Sequence, residues 1–244
     1  MKTSQINRIS PDLLGRFASF QSRGGLLRLN VHLSMRRLAL KWLVGAADGT
    51  RRVMDVLGSL AALVVLSPLL VVIGALIRLD GGPVIFAQTR VRRHGREFKM
   101  YKFRSMRTDA EKRLEELLAA NKHGDSITFK IKDDPRVTKI GYWLRRYSLD
   151  ELPQFYNVLI GDMSLVGPRP PVPREVAQYT LADRRRLSVK PGITCIWQIS
   201  GRAEIDFPGQ VRLDVIYIES QSIGQDIRIL VRTPRAVVFG SGAY

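Results

Sequence analysis

From Val53 to Ile77 the chain reads VMDVLGSLAALVVLSPLLVVIGALI, and from Val56 onward no side chain in this run carries a charge. A stretch of that length covers the ~30 Å of bilayer hydrocarbon as one straight helix. Its flanks argue for a different path. Arg51 and Arg52 precede it, and Arg78, Arg90, Arg92 and Arg93 follow. Positive residues mark the cytoplasmic side of a membrane segment, so a single crossing would leave one basic flank on the wrong side. A helix that enters, bends and returns satisfies both.

Ser67-Pro68 sits where such a bend belongs. Proline has no N–H, so the Val64 carbonyl loses its helical partner, and in lipid an orphaned carbonyl costs several kcal/mol. The Ser67 hydroxyl is placed to offer it a local bond. The arms 53–66 and 68–77 are only ~21 and ~15 Å long at 1.5 Å per residue, too short for either to cross. Prolines are nevertheless common in ordinary spanning helices. The run by itself therefore leaves a signal-anchor span and a re-entrant pair both open.

Charge tells which partner the chain meets. The net charge is +17, which calls for a polyanion. Residues 1–52 carry ten Lys/Arg against two acids, residues 78–107 nine against two, and residues 108–244 twenty against seventeen. The excess thus brackets the apolar run, as expected for anionic headgroups at ~1 kcal/mol per basic residue. A nucleic-acid binder would spread basic and aromatic residues over one folded face, and no nucleic-acid partner is expected. Cys195 is the only cysteine, and His32, His94 and His123 lack metal-ligand spacing, so neither a disulfide framework nor a Cys/His metal cluster is expected. No cleavage site precedes the run, and a removed leader is not expected.

Length and pattern predict one mixed domain, α+β and mostly helical, over 49–244. Residues 1–48 read as a basic, poorly ordered tail with a short amphipathic helix around Leu26–Leu40. Asp80-Gly81-Gly82-Pro83 is a turn signal. VIFAQ (84–88) and EFKMYKF (97–103) read as a hairpin around His94-Gly95. Thr108 and Glu111 form a capping box for a charged helix to Ala120, followed by a polar loop over 121–134. Helices are expected at 137–147, 148–161, 174–179, 208–220 and 226–239, and a strand at 193–199.

Asp150 and Glu151 are adjacent acids in basic surroundings, just after Arg145 and Arg146. A structural account suffices for them: Ser148-x-x-Glu151 is a capping box, and acids in a first turn complement the helix dipole. A chemical account competes with it. Pro153 fixes the backbone that follows, Arg145 and Arg169 are guanidiniums suited to phosphate oxygens, and GPRPPVP (167–173) is a stiff loop that can hold Arg169. Acids and arginines without a Cys/His cluster point to phosphate chemistry with a hard cation such as Mg²⁺. No Walker lysine loop or kinase signature is present. A carboxylate can itself act as a nucleophile.

The segments RRVMDVLGSLAALVVLSPLL, GPVIFAQ, GREFKMYKFRSM, DPRVTKIGYWLRRYSLDELPQFYNVLIGDMSLVGPRP, and KPGIT followed by GR resemble, in that order, the bacterial sugar transferases. These are small monotopic phosphoglycosyl transferases that move a sugar 1-phosphate from a nucleotide sugar to polyprenyl phosphate. The resemblance covers about residues 49–244. It implies Asp150 as the nucleophile that releases UMP, Glu151 with Asp150 as the Mg²⁺ site, and Arg145, Arg169 and Lys102 as phosphate-binding residues. It further implies a UDP-sugar donor, anionic lipids as partners, and an active site on the cytoplasmic face of the bacterial inner membrane. That placement selects the re-entrant reading, with Ser67 and Pro68 at the helix break. The exopolysaccharide subgroup implies a hexose 1-phosphate, from UDP-glucose or UDP-galactose, and the chain end and hairpin leave a homodimer open.

The chain departs from the resemblance at Arg92, where many relatives have Gly, and at CIWQISGR after PGIT. Residues 1–48 are too short for the four-helix membrane domain of larger relatives. The competing readings are a Leloir-type glycosyltransferase and a non-catalytic membrane scaffold for polysaccharide assembly.

Overall fold

A computed structural model describes residues 23–110 and 134–239. The expected charged helix and polar loop over 108–134 therefore lie almost wholly outside the described residues. The chain divides between Arg51 and Arg52 into two compact units. In the first, residues 23–51 are helical throughout, the start of helix α1 (Arg23–Val65). The helix expected around Leu26–Leu40 lies inside α1, which extends on both sides of it and takes in residues 23–48.

In the second unit α1 continues to Val65 and meets α2 (Ser67–Leu79) at a sharp break. No single described helix is long and apolar enough to cross a membrane, but Gly45–Val65 and Ser67–Leu79 together are, bent by 62°. The break has the expected chemistry. Pro68 stands in the first turn of α2, and the Ser67 Oγ donates to the Val64 carbonyl at 2.8 Å, the group the proline deprives of its donor. One face of the pair exposes Leu57, Leu60, Val64, Leu69, Val72 and Leu76. The other buries Asp55, Ser59, Ile73 and Ile77.

After the turn at Gly81-Gly82, where both residues have positive φ, β1 (Ile85–Val91) and β2 (Glu97–Phe103) pair antiparallel from Ile85↔Phe103 to Val91↔Glu97. The reversal uses His94 and Gly95 in the left-handed region, and Arg92 Nη1 lies 3.2 Å from Asp162 Oδ1. Next comes α3 (Lys139–Arg146), capped by the Thr138 side chain, which accepts from the Gly141 N–H. Then follow α4 (Gln154–Ile160), β3 (Ser164–Val166), α5 (Pro173–Ala177) and β4 (Gly192–Thr194). The chain closes with α6 (Ile196–Ser200), α7 (Phe207–Glu219) and α8 (Ile223–Phe239).

β3 and β4 pair in parallel, and their approach requires Gly192, where a Cβ would lie 2.0 Å from the Gly167 nitrogen. The expected strand over 193–199 ends at Thr194 because its partner runs into Gly167-Pro168, which cannot extend the ladder. The chain coils instead, and Ile193, Ile196 and Ile199 pack on the core formed by Phe98, Met100, Val158, Met163, Leu165 and Tyr217. A second apolar cluster joins Ile73 and Ile77 of α2 to Phe103 and Leu144.

Candidate active site

The second cluster sets the site. Leu149 and Leu152 pack against it, so the short 3-10 turn Leu149–Glu151 turns the two carboxylates between them to the other side. The expected helix over 148–161 is therefore broken, and the capping box does not form. Ser148 takes a left-handed conformation (φ 53) to reverse the chain after α3, and its side chain caps nothing. Its carbonyl accepts from the Glu151 N–H at 3.2 Å, which leaves the Glu151 carboxylate free to face the cations.

Lys102 of β2 places Nζ 2.7 Å from Glu151 Oε1 and 3.9 Å from Asp150 Oδ2, and Arg169 Nη1 lies 3.4 Å from the same Glu151 oxygen. Two residues far apart in sequence thus close on the dyad. Arg145 lines the same cavity, and among the described residues no hydrogen bond or ion pair engages its guanidinium. Arg146 is turned away and stacks over Trp143 and Tyr147.

Burial pushes the Asp150 carboxyl up to about 6; Lys102 pulls the other way and the neighbouring Glu151 charge adds to the rise. Burial also opposes the Glu151 charge, but Lys102 and Arg169 outweigh it and hold that carboxyl down at about 2. Environment separates two adjacent acids, as expected where carboxylates take different roles.

Two supports were not identified from sequence. Arg90 is half-buried against the arginine loop: Nη1 donates to the Pro170 carbonyl at 2.8 Å, Nε and Nη2 to Gln88 Oε1, and the Val91 N–H to the Pro171 carbonyl. Burial, with Arg169 adding, lowers its pKa to about 10, and it stays charged at neutral pH. Asn157 of α4 is fully buried; its Oδ1 accepts from the Tyr101 N–H at 2.9 Å and its Nδ2 donates to the Lys99 carbonyl at 2.8 Å. It acts as an added strand on the open edge of β2 and fixes Lys102 relative to the dyad turn. A signal for Arg90 existed, a basic residue two positions beyond Gln88 at the end of the predicted strand 84–88, which the structure extends to Val91. Asn157 gave none.

The cavity has a volume of about 700 Å³. Nine basic side chains line it, among them Arg90, Lys102, Arg145, Arg169 and Arg174, against the acids Asp134, Asp150 and Glu175. One acid is already committed, since Asp134 is paired with Arg136. Such a lining fits a polyanion. Two carboxylates on one turn also fit a magnesium ion. No group of three or more metal-ligating side chains occurs among the described residues, and Mg²⁺ typically takes one or two carboxylates and completes its sphere with water and substrate phosphates.

Fold and site together define a dyad of unequal carboxylates at a cationic cavity, mounted on a broken apolar helix. Residues 46–240 match the bacterial sugar transferase family, and the chain belongs to it. It is 52% identical over 194 residues to the galactosyl transferase CpsE of Streptococcus agalactiae, covering 79% of this chain and 43% of that one. It is 43% identical over 201 residues to the undecaprenyl-phosphate galactose phosphotransferase of Salmonella typhimurium, covering 80% and 41%. With the exopolysaccharide production protein ExoY of Rhizobium meliloti it shares 40% over 198 residues, 80% of this chain and 88% of that one. The chain thus spans about two-fifths of the first two relatives.

Proposed function

We propose that the chain transfers a sugar 1-phosphate from a UDP-sugar to polyprenyl phosphate, releasing UMP, as the first membrane step of exopolysaccharide assembly. The observation that carries this reading is Asp150: a buried carboxylate with its pKa near 6, beside Lys102, with Glu151 held ionised next to it. It is a nucleophile that is ionised at neutral pH yet weakly solvated. Asp150 attacks the phosphorus that bears the sugar, the bond to the UMP oxygen breaks, and the phosphosugar rests on the carboxylate as an acyl phosphate. The acceptor phosphate oxygen then attacks the same phosphorus, giving a lipid diphosphosugar and returning Asp150.

Lys102, Arg145 and Arg169 hold the non-bridging oxygens and offset charge as it moves to the leaving group. Glu151, with Asp150, would hold Mg²⁺, which supplies charge neutralisation on the diphosphate. Lys102 occupies one Glu151 oxygen meanwhile and keeps that carboxylate ionised and oriented. The names of two relatives, an undecaprenyl-phosphate galactose and an undecaprenyl-phosphate glucose phosphotransferase, favour a hexose.

The bent pair α1–α2 would enter the cytoplasmic leaflet and return, with its exposed apolar face in lipid and the basic flanks at the headgroups. The test is purified protein in detergent with Mg²⁺, polyprenyl phosphate and a panel of UDP-sugars. UMP is expected from UDP-glucose or UDP-galactose. UDP in its place would identify a Leloir transferase, and silence with every donor would overturn the reading.

A further inference from the structure

Two groups of side chains in the cavity lining differ in chemistry. Arg174, Glu175, Tyr179, Trp197 and Gln210 are polar or aromatic throughout. Pro83, Phe86, Phe103, Met106 and Ala110 form a second, apolar wall along the hairpin and the segment after it, interrupted by arginines. This second wall is one local structure. Ile85 pairs with Phe103, the Arg104 N–H donates to the Val84 carbonyl at 2.9 Å, and the Ala110 N–H donates to the Arg107 carbonyl.

It also adjoins the end of the apolar helix. Phe103 packs with Ile73 and Ile77 of α2, and Arg104 Nη2 donates to the Ile77 carbonyl at 3.3 Å. Arg104 is under-used where it stands. It is buried and lines the cavity, yet among the described residues Nε and Nη1 have no hydrogen-bond partner, and its ion pair with Asp80 is long, Nη2 lying 3.9 Å from Oδ2. Room for it exists only because residue 82 is glycine: a Cβ there would lie 2.1 Å from Nη1. Buried donors without acceptors are costly, and a guanidinium set among apolar side chains matches a ligand with an anion at one end and hydrocarbon at the other.

We propose that this wall is the acceptor subsite: it takes a phosphate monoester carried on an apolar chain, with the phosphate at Arg104 and Arg107 and the first units of the chain against Phe86 and Met106. The inference rests on the phosphosugar-transfer reading for its role and on the wall's own chemistry for the ligand. Position selects the lipid-borne phosphate over the nucleotide, because the wall begins where α2 ends and the other group of lining residues is polar.

Binding tests this without turnover. In detergent-solubilised full-length protein, titration calorimetry is run with farnesyl phosphate, farnesol, inorganic phosphate and UMP. Farnesyl phosphate is expected to bind at least tenfold more tightly than farnesol or inorganic phosphate. Arg104→Gln is expected to weaken farnesyl phosphate at least tenfold and UMP less than twofold. Phe86→Ser, at a residue already 38% exposed, is expected to narrow the preference for farnesyl phosphate over inorganic phosphate. Unchanged farnesyl phosphate affinity in Arg104→Gln, or an equal loss of UMP, overturns the assignment. So does displacement of farnesyl phosphate by an equal concentration of phosphatidylglycerol, which would make the wall a bulk-lipid contact. If Arg104→Gln fails to reach the wild-type Tm, Phe86→Ser decides, and an unchanged preference there overturns the proposal. A wild-type protein that binds farnesyl phosphate but releases no UMP from any UDP-sugar would refute the transfer reading and leave the subsite standing.

Discussion

At the residue scale, the buried dyad costs stability at neutral pH. Asp150 is raised above its ordinary value of 3.8 to about 6, so the folded state keeps a proton that the unfolded chain gives up between those pH values. The favourable contribution is present below about 4 and is lost as pH rises through 6. Asp150→Asn should therefore raise Tm at pH 8 and leave it unchanged at pH 4, measured by thermal denaturation at both. Two pKa units set the scale at about 3 kcal/mol, less whatever Lys102 loses with its partner. The same variant should abolish UMP release. In the wild type, activity should fall about tenfold per pH unit below 6. Lys102→Met should move that limb to higher pH, since Lys102 lowers the Asp150 pKa; an unmoved limb would detach the lysine from Asp150.

At the element scale, the hairpin is the part that gathers the site. β1 carries Arg90, which holds the arginine loop, and β2 carries Lys102, which meets Glu151. Asn157 joins the open edge of β2 to α4 by a bond in each direction. Asn157→Leu strands a buried N–H and a buried carbonyl, each costing about 1–3 kcal/mol. Denaturant unfolding should report a loss of that order. Asn157→Asp keeps the shape and the acceptor but opposes the Lys99 carbonyl, and its loss of activity should be non-additive with Lys102→Met. Additive losses would show that Asn157 does not act through the lysine. The helix break makes a separate prediction. Ser67→Ala with Pro68→Ala restores a continuous ladder, so extracellular cysteine labelling of the N-terminal segment should appear in the variant and be absent in the wild type.

At the scale of the whole molecule, the +17 charge should make vesicle binding depend on anionic lipid and fall between 0.05 and 0.5 M salt, while the exposed apolar face of α1–α2 keeps a salt-resistant fraction bound. Flotation with and without phosphatidylglycerol measures both parts, and complete release by salt would argue against insertion of the bent pair.

Much of this was readable in the order of residues because it is encoded locally. Pro68 removes a donor from its own turn, Ser67 replaces it, β1 and β2 follow an alternating pattern on either side of His94-Gly95, and Asp150-Glu151 with Arg169 is a short-range signature. Other features needed the folded chain. The sequence suggested a cap for Ser148 and Glu151, and only the packing of Leu149 and Leu152 on α2 turns the carboxylates to Lys102, 49 positions away from Glu151, and to Arg169, 18 positions away. Periodicity sets which face of an element is apolar. Which charges then meet across the cavity depends on how separate elements dock, and that is decided by burial in three dimensions.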